Sequence, residues 1–282
     1  MKQKSFLLCD SGSTKSSWKV AGGQGDTFAC QSAGLNPYFH TAKSFHAVLK
    51  KTFRGKPIDP GLLYFYGSGC GNPTKANEVK QWLSEFFIHA EVSVNSDILG
   101  AARALFGHQP GLTAIIGTGA SMGFYSGEEI VKTAPSLGYV MGDEGSGAYF
   151  GKEILKAFLS GKMPEILMKE LALAYPLSKS EFLDQIYRQP FPNRFLATFT
   201  YFIHSHQYHP WIQKMLSNGF SLMVNNMLEY FQTEELNNIG FVGSVGFIFQ
   251  DEINATLKKF GLQAGAFIKD PIDDLCQYHL NV

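Results

Sequence analysis

Two stretches decide how this chain is read: LLCDSGSTKSSWKV at residues 7–20 and AIIGTGASMGFYSG at residues 114–127. Each runs as an apolar strand, a turn of small residues and glycine with a threonine, and a second strand. The first turn is Asp10-Ser11-Gly12-Ser13-Thr14-Lys15. Its glycine permits a tight turn and a close backbone approach to an anion. Exposed N–H groups in such a turn form a nest for phosphate. Ser13 and Thr14 add hydroxyl donors, and Lys15 adds a point charge. Asp10 is a candidate magnesium ligand through the ion's water shell, because magnesium dehydrates reluctantly. The second turn, Gly117-Thr118-Gly119, sets a threonine donor between two glycines. No GxxxxGK[ST] stretch occurs, which excludes a Walker-type loop. Either hairpin alone is equally an ordinary surface turn. The pair, about a hundred residues apart, predicts a duplicated architecture in which each half brings one glycine turn to a shared cleft.

Around these hairpins, strand-like and helix-like segments alternate, which predicts α/β layers. Strands are expected at 62–66, 91–94, 239–242 and 264–268, and helices at 41–53, 73–87, 97–106, 147–160 and 247–260. Residues 164–231 read as mostly helical, with breaks near Pro176, Pro190 and Pro210. The strand at 62–66 ends in Gly67-Ser68-Gly69-Cys70-Gly71. Asp97 stands between a strand and a helix. A carboxylate there serves as an N-cap, or as the base that accepts the proton of an acceptor hydroxyl in phosphoryl transfer. Strand ends in α/β sheets are where sites gather, which favours the second role. The run Gly138-Tyr139-Val140-Met141-Gly142-Asp143-Glu144-Gly145-Ser146 places two acids before a helix start. One carboxylate is explained by the positive helix end, and the rest of the run reads as a ligand loop. Gly243-Ser244-Val245-Gly246 leaves a strand and leads into a helix, a setting for a flat ligand such as adenosine or for plain helix–strand packing.

Composition narrows the partners. The 282 residues carry 24 basic and 24 acidic side chains, and 45% are hydrophobic. A disordered chain and a dedicated nucleic-acid binder are both excluded on that balance. Residues 1–110 carry 12 basic and 7 acidic side chains, whereas 111–282 carry 12 and 17. The split fits two domains, 1–110 and 111–270, with the C-terminal helix at 271–282 completing the first and a helical insertion in the second. The four cysteines, Cys9, Cys30, Cys70 and Cys276, form no close pair and no metal-ligand spacing, so free thiols are expected. The longest uncharged stretch, 104–127, is broken by six glycines and a proline, so no membrane segment is expected. Lys2 and Lys4 precede an apolar run like a signal start, but that run stops at Asp10, and a cytoplasmic protein is expected.

Taken in order, these motifs resemble those of the actin-like sugar-kinase superfamily. More specifically, the chain is similar to N-acetylglucosamine kinases within the BadF/BadG-type ATPase group. The resemblance runs from Asp10 to about Gly246, and Gly-Asp-Glu-Gly-Ser beside the two hairpins is its specific part. It implies two actin-like (ribonuclease H-like) α/β domains with ATP in the inter-domain cleft. It implies transfer of the ATP γ-phosphate, with magnesium, to the 6-hydroxyl of an amino sugar of the N-acetylglucosamine or N-acetylmuramic acid class. Asp10, Gly12, Ser13, Thr14 and Lys15 match the first phosphate motif, Gly117, Thr118 and Gly119 the second, and Gly243 and Ser244 the adenosine motif. Asp97 matches the catalytic aspartate, which also contacts the sugar, and Asn36, Gly138 and Asp143 match further sugar contacts. Dimers are common among such relatives. The chain departs from the pattern at three places: Ala120 where a serine usually follows Gly-Thr-Gly, Leu137 where many relatives carry tryptophan, and Asp273-Asp274-Leu275 where many have small residues. Two other readings stand beside the kinase. An ATPase activator of acyl-CoA dehydratases or benzoyl-CoA reductases would need clustered cysteines for an iron–sulfur centre. A non-catalytic sugar sensor would lack the base or the phosphate turns, and would carry an added DNA-binding segment before residue 6.

Overall fold

The computed structural model describes residues 5–22, 28–56 and 58–281, so Lys2 and Lys4 lie outside the described residues. The chain divides into two units.

The first unit comprises the described residues through Pro110, together with Tyr125–Ile130 and the residues from Asp270 onward. Its elements in chain order are β1 (Phe6–Ser11), β2 (Lys15–Ala21), β3 (Ala29–Ala33), α1 (Ala42–Thr52), β4 (Leu62–Gly67), α2 (Pro73–Phe86), β5 (Glu91–Ser96) and α3 (Asp97–Phe106). The sheet order is β3-β2-β1-β4-β5. β1 pairs antiparallel with β2 and parallel with β4, and β4 pairs parallel with β5. β1 is apolar on both faces, as a central strand covered by helices must be. The alternation of the pleat divides it. Leu7 and Cys9 pack with Trp18, Phe45, Leu49, Phe65, Val79 and Leu83 beneath α1 and α2. Phe6 and Leu8 pack with Tyr66, Leu275 and Cys276 on the other face. Local signals start the helices. Thr41 and Ser44 form a capping box for α1, and Asn72 caps α2 ahead of Pro73.

The second unit comprises Gly111–Phe124 and Val131–Lys269. It continues with β6 (Gly111–Ile116), β7 (Ala120–Tyr125), β8 (Ile130–Thr133), α4 (Gly138–Met141), α5 (Gly147–Leu159), α6 (Glu165–Ala174), α7 (Lys179–Tyr187), α8 (Pro192–Ser205) and α9 (Pro210–Tyr230). It closes with β9 (Ile239–Val242), α10 (Ser244–Ile248), α11 (Gln250–Lys259) and β10 (Ala264–Ile268). Its sheet order, β10-β9-β6-β7-β8, again sets a hairpin beside parallel crossover strands. One large core joins Leu112, Ala114 and Ile116 of β6 to Phe150, Phe199, Phe220 and Phe249 of the helices. A last helix, α12 (Ile272–Leu280), belongs to the first unit and buries Leu275 and Cys276.

Several local expectations need correction. The helix expected at 247–260 is two helices that meet at Phe249, whose buried ring joins the core. α10 starts at Ser244, so Gly243 is its cap and the Gly-Ser-Val-Gly run is mostly helix. The second turn, expected over residues 117–121 ahead of a strand at 122–126, is shorter, because β7 begins at Ala120. β3 and β8 lie at sheet edges, are largely exposed, and lack the apolar alternation that marks a strand. Among the described residues no helix is long and apolar enough to cross a membrane.

Candidate functional site

In the first unit, Ser11 is level with Gly67 and Gly67 with Ser96, so β1, β4 and β5 end together at their C-terminal edge. That edge is where α/β sheets hold ligands. The first glycine turn leaves it from β1 and closes with a bond from Gly12 N to Lys15 O of 3.0 Å. Gly34 N donates to Thr14 O at 3.0 Å. A side chain at Gly34 would come within 2.3 Å of Gly12 O, so only glycine lets this loop press against the turn. Leu35 N donates to Ser11 Oγ at 3.0 Å, and Ser16 Oγ donates to the same oxygen at 2.8 Å.

Asn36 is buried beside the turn. Its Oδ1 accepts from Tyr38 N at 2.9 Å and its Nδ2 donates to Ser68 Oγ at 3.3 Å. Ser68 Oγ lies 3.4 Å from Ser13 Oγ, and Ser68 N donates to Ser11 O at 2.8 Å. Ser68 therefore joins the first turn to Asn36. The sequence marked the Gly67–Gly71 run only as glycine-rich, and no local signal assigns Ser68 this role.

Asp97 is the first residue of α3, and the cap is Ser96, whose Oγ accepts from Leu99 N at 3.4 Å. The Asp97 carboxylate accepts from Ile98 N at 2.9 Å. Burial pushes its pKa up to about 6, against the lowering effect of its backbone bonds. Asp10 is raised further, to about 8, by burial and then by the carboxylates of Asp270 and Asp97, with Lys15 opposing. Lys15 Nζ donates to Asp270 Oδ2 at 2.8 Å, and Ser17 Oγ donates to the same atom at 2.9 Å. Asp270 escaped sequence reasoning because it lies 255 residues from its lysine partner.

In the second unit, Gly117 N donates to Gly119 O at 3.0 Å to close the second turn. The first amides of α5 serve this turn, with Gly147 N to Gly117 O and Ala148 N to Thr118 O each 2.9 Å. Ser146 caps that helix through Tyr149 N at 3.2 Å. Asp143 takes a positive φ of 59°, and its carboxylate accepts the backbone N–H of Ala120. Burial raises its pKa, with Glu144 adding to the effect and Lys152 opposing it. Ala120, one of the departures, thus serves the acidic loop through its backbone. Glu144 Oε2 accepts from Asn226 Nδ2 at 3.1 Å, which ties the loop to α9. Gly243, with φ of 117°, lies so close to β6 that a side chain would meet Ile116 O at 2.5 Å. Gly243, the second turn and Asp143 therefore adjoin at the end of β6. Gly138 opens α4, the helix that carries exposed Val140 and Met141, and Leu137 before it is also exposed.

Two five-stranded mixed sheets, each flanked by helices, define an α/β fold of the actin-like type. Comparison with solved structures agrees. A candidate N-acetylglucosamine kinase from Porphyromonas gingivalis matches over 98% of this chain and 99% of its own, at 34% identity and a TM-score of 0.87. A second candidate N-acetylglucosamine kinase, from Chromobacterium violaceum, matches over 99% of both chains at 18% identity and a TM-score of 0.72. A glucokinase of the ROK family from Streptomyces griseus, solved with glucose and AMPPNP, shares the fold at 12% identity and a TM-score of 0.57, over 97% of this chain and 98% of its own. No protein-family model matches the chain, and no curated protein does. The chain belongs to the N-acetylglucosamine kinase-like family of actin-like sugar kinases.

Proposed function

We propose that this protein is an ATP-dependent kinase that phosphorylates the 6-hydroxyl of an N-acetylated amino sugar. The observation that carries the reading is Asp97. It stands at the C-terminal edge of the parallel strands β1, β4 and β5, its helix is capped by Ser96 instead, and its pKa near 6 suits a base working at neutral pH. The first turn, with Ser13, Thr14 and Lys15, and the second turn, with Thr118, supply donors for the nucleotide phosphates, and Gly243 and Ser244 supply the adenosine wall. Asn36 and the acidic loop with Gly138 and Asp143 supply polar contacts for the sugar.

In the transfer, Asp97 orients the 6-hydroxyl and accepts its proton. The sugar oxygen forms a bond to the γ-phosphorus, the bond from that phosphorus to the β–γ bridging oxygen breaks, and ADP leaves. Asp10 fits a magnesium ion. It is a hard oxygen donor whose charged form is disfavoured by burial and by two neighbouring carboxylates, and a cation would restore it. Among the described residues no three acidic, histidine or cysteine side chains gather for a metal. That suits an ion held mostly by water and phosphate. When bound, the ion supplies charge neutralisation at the β- and γ-phosphates.

The test is a coupled ATP-consumption assay across hexoses, hexosamines and their N-acetyl and N-acetylmuramic forms. An N-acetylated sugar is expected to give the highest kcat/KM, and a flat response would refute the reading. Asp97→Asn is expected to lower kcat by about 10²–10⁴-fold while ATP still binds. Full activity in that variant would remove Asp97 from the mechanism.

A further inference from the structure

We propose that Asp270 is a positioning residue for the nucleotide: it holds the Lys15 ammonium beside the first phosphate turn and releases it to the arriving phosphates. The inference rests on the nucleotide reading above.

Asp270 is where the chain returns to the first unit, between β10 and α12. Its Oδ2 accepts from both Lys15 Nζ and Ser17 Oγ, at 2.8 and 2.9 Å, and its Oδ1 accepts from Ile272 N at 3.4 Å. The carboxylate is therefore oriented by backbone and hydroxyl donors independent of the lysine. Lys15 and Ser17 are alternate residues of β2 and share one face of the sheet. Ser17 is the direct register partner of Asp10, so Asp10 shares that face as well. Asp270 thus gathers the lysine onto the face that carries the candidate metal ligand.

The pair suits holding rather than trapping. The Lys15 side chain is 52% exposed and that of Asp270 27%, so the ammonium is reachable from solvent. A half-exposed ion pair adds little to stability, and a multiply charged phosphate competes well against one carboxylate. A free lysine would lose side-chain entropy on ordering at the phosphate. A lysine already held in place loses less. Burial opposes ionisation of Asp270, but the bonds from Lys15 and Ser17 overcome it and keep the carboxyl below its ordinary range.

The same strand face carries an internal control. Lys19, two residues beyond Ser17, pairs with Asp273 in the first turn of α12. That pair also fastens α12 to β2, but it lies farther from the turn. A purely structural role for Asp270 would make the two acids equivalent.

The test is MgATP binding by titration calorimetry, with KM and kcat for ATP, on the full chain. Asp270→Asn is expected to raise the MgATP dissociation constant and KM by about three- to tenfold with kcat unchanged, and to add nothing in a Lys15→Ala background. Asp270→Glu is expected to recover most of the loss, and Asp273→Asn to leave MgATP binding unchanged. Thermal melts establish that each variant is folded. Additive effects of Asp270→Asn and Lys15→Ala would overturn the proposal, as would equal losses from Asp270→Asn and Asp273→Asn. If the unaltered chain binds MgATP and Asp270→Asn binds it equally well, this inference alone fails. If the unaltered chain binds no MgATP, the nucleotide reading fails with it.

Discussion

The two glycine turns look alike in sequence and are supported by different means. The first is braced by hydroxyls, by the Gly34 loop and by the Lys15–Asp270 pair, which are mostly side-chain contacts. The second is braced by backbone, with the α5 amides on Gly117 O and Thr118 O and the Ala120 amide on Asp143. Side-chain bracing leaves adjustable charge around the first turn, and Asp10, Asp97 and Asp270 all interact there. Backbone bracing leaves the second turn a fixed scaffold. The comparison teaches that a repeated motif need not repeat its chemistry: three carboxylates interact around the first turn, whereas a single one, Asp143, bonds to the backbone of the second.

The largest expected effect is in pH dependence. Asp97 must be ionised to accept a proton, and its pKa lies near 6 rather than at the 3.8 of a free carboxyl. Activity should therefore be full above neutrality and fall about tenfold per pH unit once the pH passes below about 6. A profile of kcat against pH checks this, and an acid limb near pH 4 would place the base elsewhere.

A glycine series then compares the turns' supports directly. Gly34→Ala drives a methyl into backbone atoms at 2.3 to 2.7 Å and should cost about 3 kcal/mol. Gly119→Ala meets the Asp143 carboxylate first, at 2.8 Å, and should cost about 1 kcal/mol as that side chain shifts. Gly117→Ala meets nothing within 4 Å and should stay within about 0.5 kcal/mol while weakening ATP binding. Urea denaturation of the three variants ranks them, and a reversed order would mean that the first turn is the more yielding.

The smallest effect concerns α12, which packs on the face of the first sheet that also carries Asp10 and Tyr66. Tyr66 OH lies 2.8 Å from His279 Nε2, and Arg103 donates to the same tyrosine oxygen at 2.8 Å. Burial and then Arg103 lower the His279 pKa from 6.5 to about 4. The unfolded chain gains a proton below about 6.5 and the folded chain does not until about 4, so stability falls as pH drops through that window and levels off beneath it. Melting temperatures at pH 7 and pH 5 should differ by a few degrees, and His279→Gln should narrow the gap. Hydrogen exchange at pH 5 should loosen α12 before α5 to α9, and the reverse order would move the acid-sensitive element to the second unit.

Much of this was legible because its signals are local. The β1–β2 turn follows from glycine and small residues, α2 from Asn72-Pro73, and the breaks among α6 to α9 from prolines. What stayed hidden depends on remote partners. β3 and β8 are largely exposed edge strands whose formation depends on the neighbours they pair with. The split between α10 and α11 follows Phe249 into a core that residues from β6 to α11 assemble.

The sequence by itself determined the α/β class, the two glycine turns, the candidate base and the order of motifs that marks the family. Each single motif rests on residues within a few positions of one another, and their order can be read along the chain. Only the tertiary structure decided that Ser96 rather than Asp97 caps α3, that Ser68 joins the first turn to Asn36, and that Lys15 is held by Asp270. Those contacts form when strand ends are brought level and when the chain returns to its first unit. Their energies depend on burial and distance, which no local spacing encodes.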